Sequence, residues 1–169
     1  MKLTSCPFPS LLVTAVSLGC LDASSPPFGA PAFGTRVAVD SPVPVAHEYY
    51  SGLGDPARLV IADSATWAAI WAQVYAALQP RPSLPAVDFR TEQVLLAALG
   101  QRNTGAYDIR IDSVVRFTLG SVAYVTTTAP GRNCVTTQAL TQPVELVRLA
   151  PPPVAPVAFA QRAVVRDCS

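Results

Sequence analysis

EQVLLAALG, residues 92–100, is a continuous apolar run closed by a glycine. A strand wet on one face alternates polar and apolar residues, and this run does not. It therefore reads as a central strand. Downstream, AYDIRID (106–112) sets Tyr107, Ile109 and Ile111 against Asp108, Arg110 and Asp112, a strand with one solvated face. SVAYVTTTA (121–129) is rich in β-branched residues, PVELVRL (143–149) is a further strand, and VAFAQRAVV (157–165) closes the chain after the PPP bend.

Upstream, Asp63 or Ser64 is placed to cap a helix, SATWAAIWAQVYAAL (64–78). Trp67, Ile70, Trp71, Val74 and Leu78 fall on one face of it, as core packing requires. QPRPSLP (79–85) ends the helix as a loop. VAHEYYSG (45–52) and ARLVIAD (57–63) read as two strands of a hairpin around SGLGDP. GLGDPA imitates a dinucleotide fingerprint but leads into an apolar β-type run, not a helix. The expected class is α+β: a mostly antiparallel twisted sheet or partial barrel with one principal amphipathic helix.

The chain has 169 residues, half of them apolar, with 17 prolines and a formal net charge of +1. A packed core is within reach, and a helical bundle is disfavoured. No basic block marks nucleic acid as a partner. The only lysine, Lys2, stands at the start, so Schiff-base and P-loop chemistry have no residue in the body of the chain.

MKLTSCPFPSLLVTAVSLGC (1–20) has the layout of an export signal: a basic start, an apolar run and a small residue before Cys20. Its SLGC end resembles the lipobox of bacterial lipoproteins, whose cysteine is acylated. Lipidation at Cys20 and an exported, envelope-anchored or secreted protein are the expectations. Residues 21–44, rich in Pro, Ala, Ser and Gly, read as a tether, and residues 45–169 as the domain.

Export bears on GRNCVTTQALTQP (131–143). Once the signal is removed and Cys20 acylated, Cys134 and Cys168 remain, and an oxidising compartment favours a disulfide over a free pair. A nucleophilic cysteine needs a histidine, and the single one, His47, is distant in sequence. Zinc needs more closely spaced ligands than the chain offers. His47 reads as a structural or surface residue, and the Asp108–Arg110–Asp112 face as a solvated one. No catalytic residue, metal ligand or cofactor is expected.

Two polar loops remain: GQRNTGAY (100–107) and the stretch around Pro143. Gly105 is expected to supply a positive φ, and Asn103 tolerates one. Arg132, Gln138, Thr141 and Gln142 offer directional hydrogen bonds without titrating. Both loops also read as ordinary connections whose side chains saturate backbone groups. The two are expected near each other on the surface.

The helix tryptophan, PAVDF (85–89), VLLAALGQRNTGAYDIRI (94–111) and APGRNCVTTQALTQPVELVRL (129–149) together resemble the PrcB family, in particular its C-terminal domain. GQRNTGAY and CVTTQALTQP are the most specific parts. Ala106 departs from the family, which shows a glycine there. The resemblance implies a secreted lipoprotein module that associates with a cell-surface protease and has no activity of its own. A small protease inhibitor acting through the same loops is the alternative, because RNTGAY is faintly similar to a loop of chagasin-type inhibitors. On either reading the partner-binding candidates are Arg102, Asn103, Thr104, Gly105, Tyr107, Arg132, Gln138, Thr141 and Gln142.

Overall fold

The computed structural model describes residues 33–168. The expected export signal, Cys20 and the first half of the expected tether lie outside them. The elements in chain order are β1 (Arg36–Asp40), β2 (Val43–Glu48), β3 (Ala57–Ile61), α1 (Ser64–Val74), β4 (Gln93–Ala98), β5 (Asp108–Phe117), β6 (Gly120–Pro130), β7 (Val144–Leu149) and β8 (Val157–Arg166). They form two four-stranded sheets, ordered β2-β7-β4-β3 and β1-β5-β6-β8. All pairings are antiparallel except β6 with β8. The fold is α+β, mostly sheet, and open, with no closed barrel.

The uninterrupted apolar run becomes β4, inside its sheet between β7 and β3. Its two faces serve two cores. Val94, Leu96 and Ala98 pack with Trp67, Trp71 and Val74 of α1, while Leu95, Ala97 and Leu99 pack with Ile109, Ile111 and Val125 of the other sheet. The strand β7 is split in the same way, Val144 and Leu146 toward the helix and Val147 and Leu149 toward the second sheet. Each such aliphatic side chain contributes about 1.5–3 kcal/mol when fully buried.

Asp63 caps α1, its Oδ1 accepting from the Thr66 N–H at 2.8 Å. The helix stops at Val74, short of Leu78, which stays exposed. Pro80 cannot donate to the helical ladder. The chain instead folds back, so that the carbonyls of Pro85 and Pro82 accept the indole N–H groups of Trp67 and Trp71 at 2.9 and 3.0 Å. The tryptophan stripe is core.

Two expectations need correction. VAHEYY and ARLVI are strands, but not a hairpin: β2 pairs with β7, β3 pairs with β4, and the two lie at opposite edges of the sheet. The doubly buried strands take the middle and leave the half-exposed ones the rims. The supposed tether also contains β1, RVAVD, paired with β5 and held by a two-pronged ion pair from Arg116 to Asp40 at 2.7 and 2.8 Å.

Candidate partner-binding surface

The two polar loops meet through their backbones. Arg102 and Thr141 exchange N–H···O bonds at 2.8 and 3.0 Å, and the Gly105 N–H donates to the Thr137 carbonyl at 3.0 Å. The Thr141 hydroxyl donates to the Thr104 carbonyl at 3.0 Å. A third segment, the end of the EYYSG run, joins them: the Gln142 N–H donates to the Tyr49 carbonyl at 2.8 Å, and the Ser51 hydroxyl donates to the Gln142 carbonyl at 2.7 Å. Segments distant in sequence thus form one surface at the end of both sheets.

A cleft of about 250 Å³ opens in this surface, walled by Tyr49, Tyr50, Tyr107, Asp108, Thr137 and Arg166 among others. The three tyrosines give it an amphipathic wall, apolar on the ring and polar at the hydroxyl. On the same two loops Asn103, Arg132 and Gln138 are exposed, together with the apolar side chains Val135 and Leu140.

The candidate residues therefore fall into two sets. Thr141 is 2% exposed and Gly105 is buried; both hold the loops together. Arg102 turns inward, donating to the Leu99 carbonyl at 2.8 Å with its guanidinium 5.7 Å from the centre of the Tyr107 ring. Gln142 works through its backbone, and Thr104 supplies a carbonyl. Tyr107, half-buried, lines the cleft, while Asn103, Arg132 and Gln138 face outward. Tyr49 and Tyr50, which sequence reasoning did not select, are 41% and 64% exposed. Their signal was the doubled tyrosine at the end of a predicted strand.

The loop's positive φ values fall on Gly100, at 74°, and Ala106, at 68°, and not on Gly105 or Asn103. Gly105 is needed for another reason: a Cβ there would stand 2.3 Å from the Thr137 hydroxyl oxygen, at the point where the loops touch. A left-handed position suits glycine, and here it carries Ala106.

Beneath the cleft lies a charged network that joins the two sheets. His47 Nε2 donates to Asp108 Oδ1 at 2.7 Å, and both side chains are mostly buried. Arg110 contacts Asp108 at 3.3 Å and Glu145 at 3.2 Å. The expected solvated face is therefore corrected at Asp108, which the edge of β2 covers; Arg110 and Asp112 stay exposed, Asp112 accepting from the Thr126 hydroxyl. Glu145, 3% exposed, also accepts the Ile111 N–H. That amide sits on the part of β5 that β1 does not reach, since β1 pairs only as far as Val114. Burial pushes the Glu145 carboxyl above its ordinary range, although Ile111 and Arg110 both favour the charged form.

Cys134 and Cys168 form a disulfide, with Cα atoms 4.9 Å apart. It fastens the turn that opens the second polar loop to the end of β8, alongside a hydrogen bond from the Gly131 N–H to the Arg166 carbonyl at 2.8 Å. The bridge removes both thiols from nucleophilic chemistry. Among the described residues, no group of three or more His, Cys, Asp and Glu side chains is placed to hold a metal ion.

Comparison with known proteins agrees with the loops. No curated protein and no solved structure matches the chain. A family model described as PrcB C-terminal matches residues 93–150, from the start of β4 to just past β7. The match contains both polar loops and leaves α1 and β8 outside it. Over residues 93–150, this chain is similar to the PrcB C-terminal family.

Proposed function

We propose that this chain is an accessory protein-binding module that docks on a protease, or on a protease complex, through the surface built by its two polar loops. The observation that carries the reading is the meeting of the two most family-specific segments, GQRNTGAY and CVTTQALTQP, around one tyrosine-walled cleft. Side chains that hydrogen-bond without titrating, set beside exposed tyrosines and an arginine, suit recognition. The module works without chemistry of its own: its histidine is committed to Asp108 and its paired cysteines to each other. The resemblance to the PrcB family supports the protease as partner. The export signal and Cys20 support a location at the cell envelope, with the lipidated cysteine as anchor.

The experiment is a pull-down from envelope extract, followed by a protease assay of the captured material. Co-purification with an active protease is the expected result, together with release of the chain from the membrane fraction by Cys20→Ser. Loss of protease activity on titration with the purified protein would replace the module by an inhibitor. Capture of no protease would remove the reading.

A further inference from the structure

The strand β8 pairs over its whole length with β6, in continuous register from Val157 to Arg166, and on its other side has no strand among the described residues. A ten-residue open edge is a template for another chain, since every second residue presents an unpaired N–H and C=O. Three of the usual protections are missing here, since the edge is long, carries no proline within it and has no bulge; what guards it is the charge of Arg162 and Arg166. It is also pre-ordered. Its start is fixed by the Ser121 N–H donating to the Pro156 carbonyl at 2.9 Å, and its end by the disulfide at Cys168. A rigid edge loses little conformational freedom when a strand is added.

Charge decides what kind of strand it takes. The neighbouring sheet also ends in an open strand, β3, on this same side: Arg58 of β3 donates to Gln161 of β8 at 2.7 Å. Neither strand contains an acidic residue. The half-buried Arg58 guanidinium is otherwise held by the carbonyls of Ala57 and Ala98 at 2.8 and 2.7 Å, and Arg162 meets the Thr126 hydroxyl at 3.2 Å. These acceptors are all neutral, and none of the ion pairs among the described residues includes either arginine. With Arg166, the last residue of β8 and likewise in none of those ion pairs, the side presents three cations that no carboxylate contacts, in a protein of near-zero net charge. A second copy would set arginines against arginines, and like charges across paired strands are unfavourable.

We propose that β8 accepts an extended, acidic segment of a partner protein as an added strand. Alternate carboxylates of that segment face Arg162 on one side of the sheet or Arg58 on the other, while its backbone pairs with residues 157–166. This edge meets the loop surface only at its end, Arg166, and the proposal stands whether or not the loops bind a protease.

The test uses two synthetic decapeptides, one alternating Glu and Val and the other Lys and Val, with amide hydrogen exchange as the readout. The Glu–Val peptide is expected to slow exchange at alternate amides of residues 157–166 by about tenfold. The Lys–Val peptide, and a Glu–Val peptide N-methylated at every second amide, leave them unprotected. The exposed substitution Arg162→Glu reverses the preference between the two charged peptides. Protection of β8 by neither peptide, equal protection by both, or survival of protection with the N-methylated peptide overturns the proposal. So does protection that grows with protein concentration alone, because a second copy then occupies the edge.

Discussion

The floor of the loop surface and its rim are built from the same few segments and do opposite work. The floor is made of Gly105, Thr141, inward-turned Arg102 and buried Glu145, which bond neighbouring strands and loops, although the buried Arg102 Nε has no partner. The rim is made of Tyr50, Asn103, Arg132 and Gln138, whose side chains face solvent. Residue type does not separate the two: an Arg stands among the builders and another among the presenters. What separates them is whether the backbone around each side chain is already committed. Changes on the floor are therefore expected to move stability, and changes on the rim to move binding.

The largest expected effect is at the disulfide that ties the second polar loop to the end of β8. Replacing Cys134 and Cys168 together by serine frees a loop with a sequence separation of 34 residues. Loop-closure entropy sets the loss at about 4 kcal/mol, read by urea unfolding. A loss below about 1 kcal/mol would mean that the hydrogen bonds at Gly131 hold the turn without the bridge.

Glu145→Gln probes the floor by pH. The folded-state carboxyl titrates above the ordinary value of 4.5, so folding takes up a proton between 4.5 and the raised value. The stability of the wild type relative to Glu145→Gln is then greatest below 4.5 and falls as pH rises through the folded value. Urea unfolding of both proteins from pH 4.5 to 7 follows that difference. A difference that grows with pH would mean that Arg110 and the Ile111 amide outweigh burial.

The smallest effect has the opposite sign. Ala106→Gly relieves a left-handed residue and is expected to raise stability by about 0.5–1 kcal/mol, seen as a higher Tm. A lowered Tm would show that the alanine methyl packs usefully in the cleft wall.

Much of the fold was legible in the sequence because each strand's surroundings are written in its own pattern. EQVLLAALG read as central and is central; the helix, its cap and its tryptophan face also read correctly, though not its C-terminal end. Pairing was less legible. SGLGDP has the chemistry of a hairpin turn, but sheet order follows from which strands are buried on both faces, and that is a property of the whole chain. β1 was hidden because prolines flank RVAVD and composition outweighed its alternation. At the site, the nearness of the two loops was expected and the cleft was not. Tyr49 and Tyr50 enter it because Gln142 pairs with the end of β2, a contact between residues about ninety positions apart.

The central claim is that the rim binds and the floor only supports. The most direct measurement takes Tyr50→Ala and Arg132→Ala and determines, on the same samples, the Tm and the affinity for the protease captured from envelope extract. The account predicts that each variant weakens binding by more than about 1 kcal/mol with Tm unchanged, because tyrosine and arginine dominate such interfaces. A lowered Tm with affinity unchanged in the folded fraction would contradict it, placing these residues with the floor.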